Sequence, residues 1–298
     1  MYVGNREIKV SGRGLRIAKL DADMYQFLSE PASLIEALRT CKKRVDLFTF
    51  MQRLPETQPT FSYPMEWDNL AVLPVSTFDE WWNKQIGFKA RNRARQAEKK
   101  GVVVRETSFD ENLVRGIWEI YNEAPMRQGR PFPHYGKDLP TVYKDEATYL
   151  NSSTFIGAYL GGELIGFIKL TVDELGAQAG LMNIISKLAH RDKSPTNALV
   201  AQAVRTCADR GIAYLVYSHF AFGERERDKL TDFKERNGFQ RVDVPRYYVP
   251  LNSFGRLALR LGLHRRWIDR LPGPMAERLR ALRYNWYNRK AQPEQVSS

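Results

Sequence analysis

His190-Arg-Asp-Lys-Ser-Pro-Thr-Asn-Ala198 is the stretch on which the reading of this chain turns. Ser194 is placed as an N-cap with Pro195 at the first helical position, where a missing N–H costs nothing. From there Leu199, Val200, Ala203, Val204 and Cys207 recur at helical spacing, and Gly211 stops the helix. Upstream, residues 179–188 read as an apolar strand, and downstream residues 212–217 read as another. The stretch is therefore the loop of a strand–loop–helix–strand unit, and it contains no glycine.

Working outward, residues 154–160 and 164–172 alternate as strands joined by Gly161-Gly162, a tight hairpin signal. Before them the pattern predicts a strand over 102–107, a helix over 110–122 with an acidic first turn, and a helix over 139–150. After the central unit come a helix over 227–236 and strands over 239–242 and 247–249. The order β-α-α-β-β-β-α-β-α-β-β predicts an α/β (α+β) mixed sheet occupying residues 102–252. Residues 1–101 form an α/β half, with strands at 7–10, 15–20, 45–51 and 70–75 and a helix at 24–40. A capping box, Thr77-Phe-Asp-Glu80, opens a long helix that runs to Gly101 on a stripe of Ile86, Ala90, Ala94 and Ala97. Residues 253–298 hold two basic amphipathic helices split by Pro272-Gly273-Pro274, then a short tail.

The 298 residues are 43% hydrophobic and 12% aromatic, which excludes a disordered chain. Two cysteines, Cys41 and Cys207, stand far apart with no CxxC spacing, so the expectation is a reducing cytoplasm, without disulfides or structural zinc. No apolar run is long enough for a signal peptide or a membrane span, leaving at most a peripheral place at the inner face of a membrane. Net charge is +12, of which residues 253–298 carry +7. On the long helix Lys84, Lys89, Arg91, Arg93, Arg95, Lys99 and Lys100 face one acid, Glu98. Like charges at this spacing oppose the helix, and a polyanionic partner relieves them; a solvated surface helix is the plainer alternative. Lys89, Arg91, Arg93 and Arg95 are the candidate polyanion contacts.

The element order resembles the GNAT superfamily of acyltransferases, whose mixed sheet splays to admit an acyl donor. Acetyl-CoA enzymes of that superfamily cradle pyrophosphate on bare N–H groups of a glycine-bearing loop before the central helix. Here that loop is the glycine-free stretch 190–198, and Pro195 removes a donor. Three motifs instead resemble the Fem-type aminoacyl transferases, which move amino acids from aminoacyl-tRNA. They are Arg91-Asn-Arg-Ala-Arg-Gln-Ala-Glu-Lys-Lys-Gly101-Val, Ser194-Pro-Thr-Asn-Ala-Leu199 with Ala208-Asp-Arg-Gly211, and Phe233-Lys234-Glu-Arg-Asn-Gly238-Phe239. The resemblance spans roughly residues 78–251. It implies a GNAT-like fold with an abbreviated N-terminal half, to which this chain adds a basic helical C-terminal extension.

Transfer of an acyl group to an amine needs orientation, stabilisation of an oxyanion and protonation of the leaving atom. The resemblance places Lys234 near the donor, facing tRNA phosphate or the oxyanion. Tyr217 and His219 end the strand beside the splay, where acids and bases sit in this fold. The loop Met126-Arg-Gln-Gly-Arg-Pro-Phe-Pro-His-Tyr135 offers Arg127, Arg130, His134 and Tyr135 to an acceptor. Asn183 and Ser186 on the central strand are candidates for the donor, and Arg246, Tyr247 and Tyr248 for stacking on a base or sugar. Trp81-Trp82 reads as core and Asp173-Glu174 as a solvated turn. Nothing points to a metal or redox cofactor; the donor, aminoacyl-tRNA or else acyl-CoA or an acidic acyl carrier protein, is a co-substrate. A small-molecule, peptide or glycan amine is the expected acceptor. Two readings stay open beside aminoacyl transfer: another acyl donor, and a non-catalytic module that binds nucleic acid or an anionic membrane.

Overall fold

A computed structural model describes residues 1–4, 6–23, 25–127, 130–221 and 229–265. In chain order the strands are β1 (Tyr2–Val3), β2 (Arg6–Ser11), β3 (Ile17–Leu20), β4 (Leu47–Met51), β5 (Met65–Pro74), β6 (Val103–Thr107), β7 (Met126–Arg127), β8 (Arg130–Pro131), β9 (Ser153–Leu160), β10 (Glu163–Val172), β11 (Gln178–Ser186), β12 (Tyr214–His219) and β13 (Gln240–Pro250). The helices are α1 (Pro31–Thr40), α2 (Phe78–Glu80), α3 (Phe88–Lys99), α4 (Glu111–Asn122), α5 (Leu139–Glu146), α6 (Pro195–Asp209), α7 (Lys229–Arg236) and α8 (Ser253–Arg260). The mixed α/β class expected from the periodicity is the class observed. Two compact units interleave along the chain.

One unit comprises Met1–Arg91, Leu170–Met182 and Ala203–Arg266. Its strands run in the order β1-β2-β3-β4-β13-β5-β12, with the first residues of β11 parallel to β12. The two short closing strands expected at 239–242 and 247–249 are one strand, β13, which pairs with β5 from Gln240 to Tyr247 and with β4 from Arg246 to Pro250. Pro245 is tolerated inside it because the β4 ladder begins only at Arg246. Leu34, Ile35 and Leu38 of α1 pack on Phe48, Phe50 and Tyr247 to form the core. The helix expected from residue 24 starts at Pro31, because a residue before proline is held out of the α region.

The long helix expected from Thr77 is broken. Thr77 caps it as predicted, its hydroxyl accepting from Glu80 N at 3.1 Å. Trp81–Gln85 then widens into a π turn, and Ile86 leaves the helix at ψ 131°. Gly87 donates to Arg236 O at 2.8 Å, and any Cβ there would lie 3.2 Å from that oxygen. Trp81 is fully buried, as expected of core, and donates to Asn237 O at 2.9 Å. Asp173, by contrast, is no solvated turn residue. It is buried against Arg53 and accepts from the backbone of Ala177 and Gln178.

The other unit comprises, among the described residues, Asn92–Lys169 and Asn183–Gln202. Here β6 pairs antiparallel with β9, and β9 and β10 are neighbours joined at Gly161-Gly162, both at positive φ as the hairpin requires. Its core joins Leu113, Val114, Ile117, Ile120 and Tyr121 of α4 to Val142, Phe155, Leu164 and Phe167. The helix expected to reach residue 150 ends at Glu146, and the expected start of a helix at 227 falls outside the described residues.

Candidate functional site

The decisive stretch runs from a 3₁₀ turn (Leu188–Lys193) into α6, and several backbone donors around it are occupied. After β11, Lys187 N donates to Ile165 O, while Leu188 N and Ala189 N donate to the Glu123 carboxylate at 2.6 and 2.9 Å. Ser194 N donates to Arg191 O and Asn197 N to Ser194 O. Ser194 itself is left-handed, at φ 54°, rather than in the extended conformation of an ordinary N-cap. Pro195 offers no N–H here, and the Leu188 and Ala189 amides ahead of it are already taken by a carboxylate.

Glu123 is held there by Arg127, at 3.0 Å. The same guanidinium donates to Ser186 O and Ile120 O at 2.7 Å each and lies 4.7 Å from the centre of the Phe132 ring. Arg127 is thus a tie within the fold, not the acceptor clamp its sequence position suggested. Ser186 is turned inward in the same way, its hydroxyl 3.1 Å from Thr196 Oγ1. Arg130, which pairs with Arg127 across the β7–β8 hairpin, and Tyr135 are exposed.

The same unit holds a polar cluster that sequence periodicity did not single out. Glu146 is buried at the end of α5, and its carboxylate accepts from Tyr121 OH at 2.7 Å and from Asn183 Nδ2 at 3.0 and 3.2 Å. Lys169, fully buried, donates to Glu146 O and Thr148 O at 2.7 and 2.6 Å. His134 stacks on Tyr121 with ring centres 4.3 Å apart. Two candidates, His134 and Asn183, are therefore brought to one cluster. Burial raises the Glu146 carboxyl above its usual range, outweighing the bonds from Tyr121 and Asn183 and the Lys169 charge. Burial likewise lowers Lys169 and His134, the latter helped by Lys137.

A carboxyl raised by folding binds its proton more tightly in the folded state. Its contribution is therefore fully present below the unfolded value, about 4.3, and is lost as pH rises through the raised one. In urea denaturation the Glu146 carboxyl therefore adds a limb of stability that falls as pH rises above about 4.3, by up to roughly 1.4 kcal/mol per pH step of one, opposite in sign to the limb that the lowered His134 adds below about 6.5. Glu146→Gln should flatten that slope; a slope unchanged in the variant would assign it elsewhere.

In the first unit, β11 pairs with β12 only from Gln178–Gly180 to Tyr214–Val216. Past that point β12 bulges, Ser218 turns left-handed at φ 52°, and pairing with β5 resumes at His219 opposite Leu70. The bulge aims Tyr217 at Phe233 and Phe239, and burial pushes its hydroxyl up to about 12. Lys234 is fully buried on α7, its ammonium donating to His219 O and lying 4.9 Å from the Tyr217 ring centre. It is not the solvent-facing lysine that α7's composition alone allows.

His219 Nε2 sits 3.1 Å from Asp68, and Arg246 joins the same carboxylate at 2.7 Å and Asp23 at 3.1 Å. Burial opposes ionisation of Asp68, yet the His219 bond and the Arg246 charge hold its carboxyl well below the usual range. Burial works to lower Arg246, and the Asp68 and Asp23 charges more than reverse it. So Lys234, Tyr217, His219 and Arg246 converge at the end of β12. Asp68 and Asp23 were missed, since isolated acids on a strand and in a turn carry no spacing signal.

Tyr247, assigned above to substrate, belongs to the core. It is fully buried among Phe50, Phe61 and Tyr63, its hydroxyl donating to Gln52 Oε1 at 2.5 Å and accepting from Thr60 N. Tyr248 is half-buried against His264, and it lines a cavity of about 390 Å³ with Glu66, Leu259 and Arg265. On α3, Lys89, Arg93 and Arg95 are exposed, while half-buried Arg91 donates to Trp82 O at 3.1 Å.

No family model and no curated protein sequence matches this chain. Among solved structures it is similar to FemX, with 10% identity and a TM-score of 0.60 over 86% of each chain. It is also similar to L-PGS from Bacillus licheniformis, with 13% identity and a TM-score of 0.55 over 87% of this chain and 86% of that one. The C-terminal DUF2156 domain from Agrobacterium fabrum, ascribed to a lysylphosphatidylglycerol synthetase, gives 16% identity and a TM-score of 0.53 over 85% and 83%. At these identities the likeness is one of fold, and the chain has a GNAT-like fold of the Fem type.

Proposed function

We propose that this protein transfers an aminoacyl group from aminoacyl-tRNA to an amine. The observation that carries the reading is the loop before α6, where Glu123 occupies the Leu188 and Ala189 amides and Pro195 has none to give. A GNAT-like fold whose pyrophosphate cradle is closed needs a donor held by other means. An RNA backbone lying on the exposed Lys89, Arg93 and Arg95 of α3 supplies one.

In the reaction the acceptor nitrogen attacks the ester carbonyl, an oxyanion forms, and the tRNA 3′-oxygen leaves with the proton the amine gives up. Lys234, buried beneath the end of β12 and fixed by His219 O, is the cation assigned to that developing charge through its field rather than by direct contact. The test is transfer of labelled amino acid from a bulk charged-tRNA pool to a panel of amines. Amide product that requires the protein is expected. Product formed from acetyl-CoA with none from charged tRNA would overturn the reading.

A further inference from the structure

We propose that α8, together with the basic turn before β4, is a docking surface for an anionic lipid bilayer. The inference is independent of aminoacyl transfer and is tested without any activity. Helix α8 is seated the wrong way round for a soluble surface. Its small residues Gly255 and Ala258 are buried, and a Cβ on Gly255 would lie 1.9 Å from Asp46 O. Its large ones face outward: Phe254 is 42% exposed, Leu257 53% and, just beyond the helix, Leu261 61%. An apolar row turned to solvent on a helix pinned by its small face needs an occupant.

Charge says which. Residues 253–265 contain no acid. Arg256 and Arg260 are exposed on α8, and the Arg44 guanidinium lies 5.1 Å from the centre of the Phe254 ring. Exposed Lys42 and Lys43 precede Arg44 in the same turn. The carboxylates at hand are engaged: Asp46 by Arg44, Asn252 and Arg16 N, and Glu66 by His264 and Arg265. Leucines flanked by cations fit the boundary between acyl chains and anionic headgroups. Nucleic acid matches the cations but gains nothing from the leucines, and a second copy would bring like charge against like.

The experiment is co-sedimentation of the full chain with phosphatidylcholine vesicles, with and without an equal share of phosphatidylglycerol. Binding is expected only to the anionic vesicles. Leu257→Glu with Leu261→Glu should weaken it by at least about tenfold. Arg256→Gln with Arg260→Gln should weaken it about thirtyfold at low salt and reduce its salt dependence. All four side chains are exposed, so an unchanged thermal midpoint shows that the variants fold. Three outcomes overturn the proposal. These are equal binding to neutral vesicles, binding unchanged by the leucine pair (as when residues 266–298 cover the face or bind instead), and a dimer that the leucine pair dissociates.

Discussion

Lys234→Met is expected to lower the turnover of aminoacyl transfer by roughly 10–100-fold, less than the loss of a direct oxyanion contact because the ammonium acts from a buried position. Methionine keeps the length of the side chain in a site with no exposed surface, so the change removes charge rather than volume. It also frees His219 O from its ammonium partner and gives up the contact with the Tyr217 ring. That structural cost should be about 1–3 kcal/mol, which a folded domain of this size tolerates. The decisive readout is the split between constants. A loss confined to kcat, with circular dichroism and KM for charged tRNA unchanged, is the signature of charge acting in the transition state. A folded Lys234→Met protein with normal kcat would reduce Lys234 to a brace for the β12 bulge.

Arg246→Met is expected to destabilise the protein by about 3–5 kcal/mol, the largest stability effect of any single change considered. The guanidinium joins Asp68 and Asp23, both nearly buried, and its loss leaves two carboxylates close together with Lys19, His219 and the Asn69 N–H among their remaining partners. The pH dependence identifies the mechanism. Asp68 has its pKa depressed by folding, so its contribution is present above the unfolded value, about 3.9, and is lost as pH falls through the depressed one. In Arg246→Met that acid limb should shrink, since the His219 bond to Asp68 remains, and the gap from wild type should narrow on acidification. Urea midpoints at neutral and acid pH measure it. A uniform deficit across pH would instead assign the loss to packing alone.

These two clusters show what was and was not legible in the sequence. The hairpin at Gly161-Gly162, the Thr77 cap and the apolar face of α6 were readable because each is a local pattern with a local cause. The break at Gly87 was not, because it is set by Arg236, 149 residues away in the chain, approaching too closely for a side chain. Lys234 stood out through a motif, yet its burial under the β12 bulge could not be read from α7. Glu146 and Asp68 went unseen for a different reason. A single acid gains its meaning from partners that converge from other strands and helices: Tyr121 and Asn183 for one, His219 and Arg246 for the other. Tyr247 shows the opposite error, since an aromatic beside an arginine reads the same whether it stacks on a ligand or on Phe50.

The absent glycine in residues 190–198 was visible at once. What the fold adds is Glu123, brought from the end of α4, whose carboxylate takes up the Leu188 and Ala189 amides ahead of α6. The central claim is that this closes the pyrophosphate route and leaves charged tRNA as donor. It is tested most directly by calorimetric titration with acetyl-CoA and with charged and uncharged tRNA at two salt concentrations. The account predicts no heat from acetyl-CoA, and binding of charged tRNA that exceeds uncharged and weakens with salt. Tight acetyl-CoA binding, with charged and uncharged tRNA indistinguishable, would contradict it.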